Sequence, residues 1–125
     1  MTEITRLLLK SKEKIVGLDI DQCDDLSLLI TYFNARNIAD KVRIYHSPSG
    51  RGYHMYLYFD RILSLEEKFL HRYALGDCQG RIYFAELRGG DDILFSTKIQ
   101  DGKTMHRYEI SEQTFLGLHN ERLYK

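Results

Sequence analysis

The chain has 125 residues, 43% of them hydrophobic and 29% charged, with 18 basic side chains against 18 acidic ones. That length bounds it to a single domain, residues 1–125, with a modest core, and the composition excludes the disordered and membrane classes. The balanced charge excludes a global positive field, so any contact with nucleic acid must be local or metal-mediated.

No apolar run approaches the ~20 residues of a membrane span. The first residues carry Leu7, Leu8 and Leu9 but no small-residue cleavage site, so they do not read as a signal peptide. The expected setting is cytoplasmic, meaning the host cytoplasm if the protein is viral. Cys23 and Cys78 lie far apart and outside zinc-ligand spacing, and are expected as buried free thiols.

In chain order, residues 15–21 (IVGLDID) predict a first strand, with Val16, Leu18 and Ile20 on one face and Gly17, Asp19 and Asp21 on the other. From Asp24 to about Asn37 the pattern is helical. Asp24 or Asp25 is the cap, and Leu28, Leu29, Tyr32 and Phe33 form an apolar stripe. Residues 41–59 predict two strands joined by a Pro-Ser-Gly-Arg-Gly loop. Ser64 followed by Glu67 resembles a capping box, opening a helix to about Leu75 that Gly76 stops. Residues 81–87 (RIYFAEL) predict a fourth strand and residues 92–98 a fifth, with Gly89-Gly90 turning between them. Asp101-Gly102 signals a hairpin, residues 104–110 pair back, and a short helix or tail follows Ser111. The predicted fold class is α+β: an RRM/ferredoxin-like βαββαβ antiparallel sheet with two helices on one face, plus an appended C-terminal hairpin.

The open face of that sheet is where chemistry can sit. Asp19 and Asp21, two apart on a strand, leave the same face with α-carbons roughly 6–7 Å apart. Paired hard oxygen ligands suit Mg²⁺ or Mn²⁺, which in turn bind phosphate oxygens. In the segment Ser49-Gly50-Arg51-Gly52-Tyr53-His54, the glycines leave backbone N–H groups to approach an anion, and Arg51 offers a planar donor fork. Alternation places His54 on the face opposite Tyr53, Met55 and Leu57; if that is the open face, it stands near the two aspartates. Tyr53, Tyr56, Tyr58 and Tyr83 are candidates for stacking bases. His46, His71, His106 and His119 show no metal-ligand spacing and are expected to be structural or exposed.

Residues 15–21 followed by a helix and then residues 49–54 resemble the first two motifs of the archaeo-eukaryotic primase (primase-polymerase) superfamily. These are an hhhDhD strand and a Ser-Gly-x-Gly-x-His hairpin. The resemblance implies an RRM-like catalytic core. Asp19, Asp21 and a third acid on a later strand, Glu86 or its competitor Asp92, would hold Mg²⁺ or Mn²⁺. Ser49, Gly50, Arg51, Gly52 and His54, with Lys98, would cradle a nucleoside triphosphate. The implied activity is primase-like nucleotidyl transfer in DNA replication, with DNA, single-stranded or as primer-template, and other replication proteins as partners. The alternative is a non-catalytic RRM-like module that binds single-stranded nucleic acid or a replication partner. A rolling-circle initiator would want a His-hydrophobic-His pair, where this chain has His54-Met55-Tyr56.

Overall fold

The computed structural model describes residues 14–21, 24–87, 94 and 97–123. Its elements are β1 (Ile15–Asp21), α1 (Asp25–Ile38), β2 (Lys41–His46), β3 (Gly52–Tyr58), α2 (Leu65–Ala74), α3 (Gln79–Leu87), β4 (Thr97–Gln100), β5 (Lys103–His106), β6 (Tyr108–Ile110) and α4 (Glu112–Leu123). Strands β1-β3-β2-β6 form an antiparallel four-stranded sheet, and β4-β5 a separate hairpin. The fold is α+β and broadly ferredoxin-like. Among the described residues no helix is long and apolar enough to cross a membrane.

One face of the sheet builds the core. Val16, Leu18 and Ile20 of β1, Val42 and Ile44 of β2, and Met55 and Leu57 of β3 are buried with Leu28, Leu29, Tyr32 and Ala35 of α1 and Phe115 of α4. Each fully buried aliphatic side chain contributes roughly 1.5–3 kcal/mol. Phe33, expected in this stripe, is 55% exposed, and Ala35 takes the next inward turn. The predicted ends of the helices hold. The Asp24 carboxylate accepts the Ser27 N–H at 2.7 Å, and Ser64 and Glu67 form a reciprocal capping box at the start of α2. Gly76, at φ +83°, lets the chain leave that helix in a conformation side-chain-bearing residues avoid.

A buried polar relay pins α1, β3 and α4 together. The Tyr53 hydroxyl lies 2.8 Å from His119 Nε2, and His119 Nδ1 is hydrogen-bonded to the Asp25 carboxylate. The Tyr53 ring also packs edge-on against Phe115. Tyr53 therefore belongs to the core.

Two expectations are corrected here. Residues 81–87 lie in helix α3, not in a strand: Ile82 and Ala85, three apart, are both fully buried, and the Ile82 N–H bonds the Cys78 carbonyl at 3.0 Å. The fourth strand of the sheet is instead Tyr108–Ile110, on the far side of β2. The outer edge of β1 is satisfied by the chain entering α3, where Cys78 N–H reaches the Asp19 carbonyl at 3.1 Å and Arg81 Nη1 the Gly17 carbonyl at 3.1 Å. Second, Cys78 is an exposed free thiol, not a buried one; Cys23 lies outside the described residues. The Asp101-Gly102 turn forms as expected, with φ of 51° and 75° joining β4 to β5. Of the predicted 92–98 strand, Thr97 and Lys98 fall in β4, while residues 92, 93, 95 and 96, like the Gly89-Gly90 turn before them, lie outside the described residues.

Candidate functional site

Strand alternation carries Asp19 and Asp21 to the face opposite the core, as their spacing predicts. In the β1–β3 register Asp19 stands opposite His54, and Asp21 opposite Gly52. Gly52 is required by space: a Cβ there would collide with the Ile20 carbonyl and the Asp21 carboxylate. Its role is to admit Asp21 against β3. Asp21 itself is exposed, whereas Asp19 is half-buried.

The Asp19 carboxylate lies under strain of charge. Burial, then the neighbouring Asp21 carboxylate, raises its pKa from 3.8 to about 6, with Arg81 pulling the other way. Its Oδ1 is buried and has no hydrogen-bond partner among the described residues. His54 Nε2 comes to 3.7 Å from that oxygen, too far for a hydrogen bond. Burial, then the Arg107 and Arg81 guanidinium groups, lowers the His54 pKa from 6.5 to about 4. At neutral pH the pair is a carboxylate facing a neutral imidazole, not an ion pair.

Behind Asp19 sits a second carboxylate that sequence reasoning missed. Asp77 is 4% exposed. Its Oδ1 accepts the Asp19 N–H at 2.8 Å and the Cys78 N–H at 2.9 Å, and its Oδ2 binds Arg72 Nε at 2.6 Å and also Arg81 Nη1. Asp77 thereby fixes the backbone of Asp19 from the edge of the sheet. Its partners Arg72, Cys78 and Arg81 lie within five residues in sequence, but the contact that matters to the site, the Asp19 N–H, comes from 58 residues away and is set by the fold.

The hairpin between β2 and β3 differs from expectation in its donors. Gly50 N–H bonds the Ser47 carbonyl at 2.9 Å, Gly52 N–H bonds Ser47 Oγ at 3.2 Å, and Arg51 N–H bonds Ser49 Oγ at 3.3 Å. The backbone donors expected to face an anion are thus spent inside the turn, organised by the buried Ser47. Gly50, at φ +73°, makes the reversal possible.

A cleft of about 470 Å³ opens over the end of β1, lined by Asp19, Asp21, Ser47, Pro48, Ser49, His54, Arg81, Leu94, Thr97 and Lys98. Five of the predicted site residues, Asp19, Asp21, Ser49, His54 and Lys98, therefore meet in one place. Gly50, Arg51 and Gly52 line a different cavity of about 310 Å³, with Asp24, Asp25, His46 and His119. Glu86 lies on α3, its side chain outside the described set, and Asp92 also falls outside the described residues. Among the described residues no group of three or more histidine, cysteine or acidic side chains is placed to hold a metal ion.

Beyond the cleft the same sheet face carries aromatic and guanidinium groups. Tyr45 and Tyr56 meet edge-on at 5.8 Å, and the Arg107 guanidinium lies 4.6 Å from the Tyr45 ring and 5.1 Å from the Tyr56 ring. Of the four tyrosines proposed for stacking, Tyr56 and Tyr58 sit on this face, Tyr53 is in the core and Tyr83 is exposed on α3. Tyr45 and Arg107 were not foreseen; only the pairing of β6 with β2 brings Arg107 here.

No protein-family model, curated protein or solved structure matches this chain.

Proposed function

We propose that the domain binds the phosphate groups of a nucleotide in the Asp19 cleft and performs metal-dependent nucleotidyl transfer of the primase-polymerase type, with a nucleoside triphosphate and DNA as partners. The observation that carries this reading is the convergence of Asp19, Asp21, Ser49, His54 and Lys98 on one cleft. A buried carboxylate oxygen lacking a hydrogen-bond partner among the described residues, beside a second carboxylate, fits a divalent cation. Asp19 and Asp21 would hold Mg²⁺ or Mn²⁺. When bound, such an ion neutralises charge that develops on a transferring phosphoryl group.

The chain's own groups would do the rest. Neutral His54 presents an imidazole N–H without adding charge beside Asp19. Ser49 supplies a hydroxyl and Lys98 a mobile ammonium for phosphate oxygens. Asp77 holds the Asp19 backbone so that its carboxylate need not reorganise on binding. Calorimetric titration of a nucleoside triphosphate with and without Mn²⁺, followed by primer extension, tests the reading. Metal-dependent binding and extension, both lost in Asp19→Ala/Asp21→Ala, are expected. Equal activity in that variant would rule the assignment out.

The Tyr45–Arg107–Tyr56 cluster favours a second reading, a non-catalytic module that stacks single-stranded nucleic acid on the sheet. Metal-independent oligonucleotide binding, lost in Tyr56→Ala and retained in Asp19→Ala, would select it.

A further inference from the structure

We propose that the β4–β5 hairpin is an arm that enters the major groove of duplex DNA and grips the paired stretch of a primer-template beside the cleft. The inference rests on DNA being a partner in the reading above, and adds where its duplex is held.

The hairpin is set apart from the body. Every residue of β4 and β5 is exposed, and the two strands pair with each other, not with the four-stranded sheet. An isolated two-stranded hairpin is marginal in water, so a partner that covers it adds what it lacks. Four-residue strands are roughly 14 Å long. The major groove of B-form DNA, about 12 Å wide and 8.5 Å deep, admits a two-stranded ribbon of that size.

Its side chains favour the same occupant. Residues 97–107 carry Lys98, Lys103 and Arg107 against one acid, Asp101, in a chain whose totals are equal. Arg107 is engaged by the Tyr56 hydroxyl. Lys103 is exposed, and its ammonium has no ion-pair partner among the described residues, which leaves it for a phosphate. Register puts Lys103 opposite Gln100, and Ile99 opposite Thr104 on the other face. Ile99 is 77% exposed and offers an apolar contact to the floor of the groove. Residues 97–106 contain no Tyr, Phe or Trp, so the arm gives a single strand nothing to stack on. Duplex RNA is disfavoured too, because its major groove is deep and narrow.

The arm is also rooted in the right place. Thr97 and Lys98, at the start of β4, line the Asp19 cleft, whereas the Asp101-Gly102 turn lies at the opposite end of the strands. A duplex gripped along the arm therefore abuts the cleft.

Fluorescence anisotropy with a short DNA duplex, its RNA counterpart and the separated DNA strand tests this in the wild type, Lys103→Ala, Lys103→Glu and Ile99→Glu. Melting curves, sedimentation and titration of a nucleoside triphosphate with Mn²⁺ accompany each variant. The DNA duplex is expected to bind at least fivefold tighter than either other ligand. Lys103→Glu and Ile99→Glu should each weaken it at least tenfold, with melting temperature and nucleotide affinity unchanged. Lys103→Ala should lower the slope of log affinity against log salt by about 0.9, the share of one phosphate contact. If Ile99→Glu melts early, Lys103→Glu decides. Wild-type duplex affinity in both Glu variants overturns the arm, as does RNA duplex or single strand bound as tightly as duplex DNA. A changed oligomeric state with unchanged duplex affinity assigns the arm to a second copy of the chain and also overturns it. In all these cases metal-dependent nucleotide binding leaves the nucleotide reading standing. Arm-dependent duplex binding without any nucleotide binding would uphold the arm and overturn that reading. Binding of neither ligand overturns both.

Discussion

Two histidine–aspartate pairs lie on opposite faces of the same sheet, and they differ in what they still need. His119 is 2% exposed and satisfied at both ring nitrogens, by Asp25 and by the Tyr53 hydroxyl. His54, 5% exposed, faces Asp19 at 3.7 Å, and the nearer Asp19 oxygen has no hydrogen bond among the described residues. Tyr53 and His54 are adjacent in sequence, so strand alternation alone sends one to the relay and the other to the cleft. A closed network of this kind holds elements together, and the incomplete one beside the cleft is what the proposed ligand site is built on.

The largest effect that separates the pairs is functional. Asp19→Ala/Asp21→Ala should lower metal-dependent nucleotide affinity by a hundredfold or more in calorimetry while the melting temperature holds or rises. The mirror substitution, His119→Ala, should cost about 3 kcal/mol, because it opens a cavity and leaves Tyr53 without its relay partner. Chemical denaturation would register that loss, with nucleotide affinity of the folded fraction unchanged. If His119→Ala abolished binding without destabilising the fold, the contrast between the pairs would collapse.

Features whose partners lie close in sequence are legible in it, and features set by distant contacts are not. Asp24, Ser64 with Glu67, and Asp101-Gly102 declare their caps and turn within four residues, and all three formed as predicted. The alternation of β1 correctly placed Asp19 and Asp21 away from the core. Residues 81–87 misled because Ile82, Tyr83 and Phe84 favour strands, while the helix there is decided by Asp77 and Arg81 contacts to β1, 58 and 64 residues away in sequence. Arg51 misled because it sits one turn residue from Ser49, yet the reversal at Gly50 directs the two to separate cavities. Arg107 could not be placed without knowing that β6 joins β2.

An intermediate effect sharpens the comparison at Gly52. Gly52→Ala forces the added methyl against Asp21 and the Ile20 carbonyl, and should destabilise by about 1–3 kcal/mol, the usual cost of overpacking. Mn²⁺ affinity should fall with it, since Asp21 must move. Retained Mn²⁺ affinity would remove Asp21 from the cation site.

The smallest effect is in the pH dependence of stability. Asp19 has a folded pKa near 6 against 3.8, so its contribution is present below pH 4 and lost as pH rises through 6. His54, near 4 against 6.5, contributes above pH 6.5 and loses that contribution as pH falls toward 4. The two slopes oppose each other and largely cancel in the wild type. Asp19→Asn should raise the melting temperature by a few degrees at pH 7 and leave a protein that weakens between pH 6.5 and 4. An Asp19→Asn melting curve that runs parallel to the wild type over that range would show that the carboxylate is not held in a desolvated site.

The most direct measurement follows the ring resonances of His54 and His119 by NMR while a Mg²⁺-nucleoside triphosphate is added. The His54 signals should shift with saturation and those of His119 stay fixed. Shifts confined to His119, or no shift at either ring, would contradict a nucleotide site built on Asp19 and His54.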